Sequence, residues 1–290
     1  MTPAHVTPSA AAGTPTWRDH DPLRATAQAW LAAGRAAIEL QVRHARGSVP
    51  REAGTRMLVA ADAVAGTIGG GHLELQAIAA ARAQLAAGDG GVHDTPIALG
   101  PSLGQCCGGA LVLRRQPLSD QGLRHWPQPQ PLFTLQLYGA GHVGRAIARL
   151  LADIACRVQW IDERADEFPV EPGPPHLQRV CVDAVEAEVA HAPPGAFYLV
   201  LTHRHDLDER ITQAVLARGD FGYLGLIGSA TKRARFLHRF EARGVPHDTL
   251  ARLTCPIGVP GIAGKQPELI AVAVVAQLLQ VAGRAQSAPI

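Results

Sequence analysis

Leu132-Phe133-Thr134-Leu135-Gln136-Leu137-Tyr138-Gly139-Ala140-Gly141-His142-Val143-Gly144 is the stretch on which the reading of this chain turns. The first seven residues have the pattern of a buried strand, and they run into G-x-G-x-x-G, which opens a helix over Arg145 to Ile154. A second strand, Arg157 to Ile161, ends at Asp162, an acid about 20 residues beyond the glycines. The motif alone is weak; the strand before it, the helix after it and the acid give it a Rossmann reading. Gly139 makes the turn, Gly141 admits a phosphate, Gly144 lets the helix pack, and Asp162 meets a ribose hydroxyl. The competing reading is a Rossmann domain that packs or dimerises without nucleotide, since a fold does not fix a function.

Downstream, strands and helices alternate: strands Arg179 to Val182, Ala196 to Leu201, Tyr223 to Ile227 and Ala251 to Cys255, and helices Leu207 to Arg218, Thr231 to Arg243 and Pro267 to Val281. This pattern predicts a doubly wound parallel sheet over residues 132–290. Ligands collect at the carboxyl ends of such strands, which here present Thr202-His203-Arg204-His205-Asp206, Gly228-Ser229 and Gly258-Val259-Pro260-Gly261. His203 and His205, with Asp208, suggest a metal site, because alternate residues of an extended segment point the same way. Histidines that orient a substrate or cap the next helix are the alternative. Basic residues are nearly all arginine, the exceptions being Lys232 and Lys265. Both lie beside glycine loops at helix starts, where an ammonium serves a phosphate.

Upstream, residues 21–115 read as a small α+β domain. A helix spans Asp21 to Gly34, strands span Ala37 to Val42, Arg56 to Ala60 and Ala63 to Ile68, and Gly69-Gly70-Gly71-His72 opens an alanine-rich helix to about Ala87. Glycines at a helix N-terminus expose amides at the positive end of the dipole, a geometry that suits phosphate; a ligand-free turn is the alternative, and Glu74 is a favourable carboxylate near that dipole. The loop Arg43 to Gly54 concentrates Arg43, Arg46 and Arg51, with Arg56 just beyond, and reads as an anion contact or a solvated loop. Strands Val92 to Leu99 and Ala110 to Arg114 flank Leu103-Gly104-Gln105-Cys106-Cys107-Gly108-Gly109. Adjacent thiols among glycines suit a ligand site, since a thiolate is a nucleophile and a soft metal ligand. Two small core residues on a turn are the bland equivalent. Residues 116–131, with four prolines, read as a linker, and residues 1–20 as a disordered tail.

A net charge of +2 and 18% charged residues fit a globular protein and give no sign of a nucleic-acid partner. Five cysteines without C-x-x-C spacing argue against a disulfide framework or a structural zinc, and for a reducing, cytoplasmic compartment. The most apolar helix candidate, Leu269 to Ala276, is too short to span a membrane, and the N-terminus does not read as a signal peptide.

Together the runs RGSVPREAGTRMLV, GTIGGGHLE, LGPSLGQCCGG, LYGAGHVGRAIA, LTHRHDLD, YLGLIGSATKRARF and CPIGVPGIAGKQPELIAVAV resemble the xanthine dehydrogenase accessory proteins of the XdhC type (the XdhC/CoxI family), found also beside other molybdenum hydroxylases. The resemblance implies a homodimeric accessory protein, not a metabolic enzyme, that binds the molybdenum cofactor in its molybdopterin form. It further implies support of sulfuration with a cysteine desulfurase and transfer of the cofactor to the molybdenum-binding subunit of xanthine dehydrogenase. The cofactor is a pterin with a phosphate and a dithiolene-bound metal, so a carrier needs an anion cradle, donors for oxo groups and a soft ligand. Gly69, Gly70, Gly71, Arg51 and Arg56 are expected to supply the first two. Cys106, first, or Cys107, with Gln105 beside them, is expected to supply the third, Cys106 as the molybdenum ligand. Gly139, Gly141, Gly144, Asp162, His203 and Lys232 of the Rossmann half are expected to supply a second cradle, for a nucleotide, or that half a dimer surface, or both. Two other readings compete: an NAD(P)-dependent oxidoreductase using Asp162, and a metal-dependent hydrolase using His203, His205 and Asp208.

Overall fold

The computed structural model describes residues 17–99 and 108–287, and the chain divides into a unit of Asp21–Gln128 and a unit of Pro129 onward joined by the residues up to His20. In the first unit, helix α1 (Pro22–Ala32) precedes strands β1 (Ala37–Arg46), β2 (Arg56–Ala60) and β3 (Val64–Gly66). Helix α2 (Gly71–Ala86), strands β4 (His93–Ala98) and β5 (Ala110–Pro117), and the short helix α3 (Asp120–Arg124) follow. The strands form one antiparallel sheet in the order β3-β2-β1-β5-β4. Alternation along β1 sends Ile38, Leu40 and Val42 to one face, where Leu73, Ala77 and Ala81 of α2 cover them. Leu58 goes to the other face, against Ala27 of α1, Leu123 and Trp126.

That second face corrects the expected linker. Gln116 and Pro117 end β5, Leu123 and Trp126 are buried, and the unit runs on to Gln128. The prolines suggested a spacer, but burying an indole outweighs composition. Beneath Trp126 lies a buried charge: Glu39, 1% exposed, accepts from Arg56 Nε at 2.9 Å and Gln116 Nε2 at 3.0 Å. The Arg56 guanidinium lies over the Trp126 ring.

The second unit carries β6 (Thr134–Tyr138), α4 (His142–Leu151), β7 (Arg157–Asp162), β8 (Leu177–Cys181), β9 (Phe197–Val200), α5 (His205–Arg218), β10 (Tyr223–Leu226), α6 (Ala230–Ala242), α7 (His247–Ala251), β11 (Leu253–Thr254) and α8 (Pro267–Ser287). Its six strands are parallel in the order β11-β10-β9-β6-β7-β8. Counted from β6, this is the 3-2-1-4-5-6 order of a Rossmann sheet, with the switch point between β6 and β9. Leu135 and Leu137 face α4 and α8, and Tyr138, Tyr198 and Val200 face α5 and α6, so helices cover both faces.

Two further expectations change. Of the tail, Trp17 to His20 are placed: Asp19 pairs with Arg157 at 2.5 Å, and the His20 ring stacks edge-on against His176. Helix α8 extends to Ser287 and is long and apolar enough to cross a membrane by length and composition. Its Ala271, Val274, Val275, Leu278 and Ala282, spaced three or four residues apart, are buried with α4 and the sheet, as in a core helix.

Candidate functional site

Each glycine of the β6–α4 turn has a distinct physical role. Gly139 adopts φ +116°, and a Cβ there would lie 2.4 Å from the Leu201 carbonyl oxygen. Gly144 packs still closer, with its missing Cβ 2.0 Å from the Gly139 carbonyl oxygen. Gly141 faces open space: nothing lies within 4 Å of its missing Cβ, and no side chain caps α4 behind it. A turn built this way leaves room for an anion at the helix N-terminus.

Beside this turn, the carboxyl ends of β9 and β10 frame a cleft of about 390 Å³. Thr202, His203 and Arg204 come from the loop after β9, His205 from the first position of α5, Gly228 and Ser229 from the loop after β10, and Lys232 and Arg235 from α6. Asp208, 1% exposed, anchors the floor. Its Oδ2 accepts from Lys232 Nζ at 2.5 Å, and its Oδ1 accepts from the Thr202 hydroxyl at 2.7 Å and amide at 3.0 Å. Lys232 Nζ also donates to the Ile227 carbonyl at 2.8 Å, so the ammonium is fixed at the cleft wall. Ser229 caps α6 by accepting from the Lys232 amide at 3.2 Å. Arg235 is exposed and has no ion pair among the described residues. His203 Nε2 lies 3.5 Å, and Arg204 Nη1 3.4 Å, from Glu163 Oε1.

His203 and Lys232, two residues expected at a site, thus line one cleft. The metal grouping is not assembled: among the described residues no three ligand-type side chains could hold an ion, because Asp208 is held by Lys232 and Thr202. Ser229 was expected among the residues at the carboxyl ends of the strands, whereas Glu163, Thr231 and Arg235 were not expected at the site. The signal for Thr231 was its place beside Lys232; for Glu163 it was a second acid directly after Asp162.

Asp162 is placed at the end of β7 as expected, yet its carboxylate is occupied. Oδ1 accepts from the Arg164 amide at 2.9 Å and Nε at 3.0 Å; Oδ2 accepts from the Ala140 amide at 2.6 Å and Arg164 Nη2 at 3.0 Å. Burial pushes this carboxyl up, but the Arg164 side chain and the two amides outweigh it and hold its pKa below the usual carboxylate range.

In the antiparallel unit, the motifs meet at one loop. A Cβ on Gly69, φ +122°, would lie 2.5 Å from Pro50 Cβ, and Arg51 Cγ is 3.6 Å away. A Cβ on Gly109 would lie 2.3 Å from the Ser48 carbonyl oxygen. The Leu99 amide donates to the Gly109 carbonyl at 2.8 Å, closing the mouth of the β4–β5 hairpin beside the same loop. Gln105, Cys106 and Cys107, within that hairpin, lie outside the described residues.

The glycine run itself is already partly filled. Glu74 Oε2 accepts from the Thr67 hydroxyl at 2.5 Å, the Gly70 amide at 3.0 Å and the Ile68 amide at 3.1 Å. Burial pushes the Glu74 carboxyl up, but these bonds prevail and lower its pKa. The expected phosphate cradle at Gly69, Gly70 and Gly71 is thus corrected in part, because it is partly taken from within: the Gly70 amide donates to Glu74, and the Gly69 amide donates to the Thr67 hydroxyl at 3.1 Å. Arg56 is corrected too, because it is committed to Glu39 and Trp126. Arg51 stays exposed beside Gly69. The described cysteines, Cys156, Cys181 and Cys255, are poor nucleophiles: burial pushes the Cys156 thiol up to about 12 and raises the other two.

Residues 135–278 match the XdhC Rossmann domain, and residues 30–94 match the XdhC and CoxI family. An uncharacterized Escherichia coli K12 protein, YqeB, is 32% identical over 84% of this chain; the chain spans 43% of that protein's length. A Bacillus halodurans protein whose crystal structure is described as a xanthine dehydrogenase shares the fold, with a TM-score of 0.71, 19% identity, and coverage of 92% of this chain and 98% of its own. With both domains matched in order on the glycine turn and the arginine loop described above, the chain belongs to the XdhC and CoxI family.

Proposed function

We propose that this chain is an accessory protein in the maturation of xanthine dehydrogenase or a related molybdenum hydroxylase. It binds the molybdenum cofactor, shields it, and passes it to the molybdenum-binding subunit, with a cysteine desulfurase as the partner in sulfuration. The observation that carries this reading is the cleft at the carboxyl edge of the Rossmann sheet, where Asp208 holds Lys232 in place.

The residues present fit the group. Gly141 leaves open space at the start of α4, Lys232 presents a fixed ammonium, and exposed Arg235 adds charge. Ser229 and Thr231 add hydroxyls, so phosphate and oxo oxygens would meet donors on several sides. When bound, the cofactor supplies the oxo-transfer chemistry that the acceptor enzyme uses. Lys232 orients the anionic end. Cys106 and Cys107, with Gln105, remain the proposed soft ligand or sulfur relay. The nicotinamide oxidoreductase has support in the strand order and the glycine turn, but the filled carboxylate of Asp162 weighs against it.

The test is transfer. Apo xanthine dehydrogenase given limiting cofactor is expected to regain activity faster and further when the cofactor is first loaded on this chain. Identical activation with and without the chain would overturn the reading.

A further inference from the structure

Resting on the carrier reading above, we propose that Arg164 closes the ribose position of the glycine turn, so that the Rossmann unit accepts a phosphate-terminated pterin and rejects nucleoside-bearing forms. In a dinucleotide-binding Rossmann domain the acid at the end of the second strand works with a free carboxylate, because ribose hydroxyls need an acceptor. Asp162 holds that position but offers none. Its side chain is 3% exposed, and its two oxygens already accept four bonds, from the Arg164 amide, Nε and Nη2 and from the Ala140 amide. A carboxylate has about four lone-pair directions. All are used.

Nor is Arg164 free to swing aside. Its Nη1 donates to Glu167 Oε1 at 3.0 Å, and Glu167 Oε2 accepts from Arg145 Nη2 at 3.1 Å. The Arg164 side chain is about a third exposed, whereas that of Asp162 is 3% exposed, so it is the arginine that this corner shows to a ligand. A guanidinium donates and never accepts. The chemistry of the corner is thereby inverted, from an acceptor that recognises hydroxyls to a donor that recognises anionic oxygens. The Ala140 amide is turned inward on Asp162 as well.

The test uses ADP-ribose as the probe, titrated calorimetrically into the full chain. Wild type is expected to show no saturable binding at about millimolar ligand, whereas Arg164→Leu, which keeps the aliphatic bulk and frees the carboxylate, gains affinity by about tenfold or more. The gain is expected to vanish in the Asp162→Asn, Arg164→Leu double variant. Tight binding by wild type, or a folded Arg164→Leu protein without gain, would overturn the proposal. A second arm needs no variant: wild type offered equal amounts of phosphate-terminated and dinucleotide molybdenum cofactor should retain the first in about tenfold excess or more. Equal retention of both overturns the proposal. Retention of neither counts against the carrier reading, and the ADP-ribose arm then decides the role of Arg164 by itself.

Discussion

Replacing Lys232 by methionine removes the ammonium from Asp208 while keeping most of the side-chain volume. The Asp208 side chain is 2% exposed and that of Lys232 11%, so the pair is largely withdrawn from water. Breaking a buried pair by deleting one partner costs about 3–5 kcal/mol, because the other charge is left uncompensated. Here the lower end applies, since Asp208 keeps both bonds from Thr202. We expect Lys232→Met to lose about 3 kcal/mol, read from urea unfolding with the Rossmann-unit transition identified by amide hydrogen exchange in β9 and α6. Adding Asp208→Asn removes the stranded charge, and the double variant is expected to recover about half of the loss or more. Binding of cofactor should not recover, because the ammonium is absent from the cleft in both proteins. A Lys232→Met protein within about 0.5 kcal/mol of wild type, or cofactor retention restored in the double variant, would refute the reasoning.

The two glycines of the turn should separate packing from binding. Gly144→Ala, whose Cβ would meet the Gly139 carbonyl oxygen, should cost about 3 kcal/mol or more in urea unfolding, whereas Gly141→Ala should leave stability unchanged or raised by up to about 1 kcal/mol. Gly141→Ala should nonetheless weaken cofactor retention by about tenfold. Arg56→Ala should destabilise the antiparallel unit by about 2–4 kcal/mol through the stranded Glu39 and leave cofactor retention by the folded protein intact. Acid should also find Asp162. Its folded pKa lies below its unfolded one, so the unfolded chain takes up the proton first on acidification. The stability it supplies is therefore full above the ordinary carboxylate pKa and drains away as pH falls through that value towards the folded one. Urea midpoints measured from about pH 6 down to about pH 3 should fall less steeply for Asp162→Asn than for wild type.

The glycine turn was legible because each requirement is a local one: a positive φ at Gly139, an open face at Gly141 and a helix contact at Gly144 follow from spacing alone. Lys232 was legible for a different reason, its rarity in an arginine-rich chain. Asp162 was found at its position but not in its state, since the spacing of a strand and an acid does not reveal that an arginine two residues later folds back on it. Glu74 misled similarly, because glycines at a helix start look like a vacant cradle until a carboxylate one turn on is seen to take one of their amides. Trp126 shows the opposite failure. Its proline-rich surroundings signalled a linker, and only the sheet face it covers, with Leu58 and Leu123, makes it part of a core.

Retention of the cofactor tests the central claim most directly. Apo-protein is mixed with isolated molybdenum cofactor, the free fraction is removed by gel filtration, and pterin and molybdenum are assayed in the protein peak. The account predicts about one equivalent of each per chain, with loss in Lys232→Met and in the Cys106→Ala, Cys107→Ala double variant. Wild-type retention by the cysteine variant would remove the cysteines from the site, and no retention by wild type, with the cofactor shown to be intact, would contradict the account.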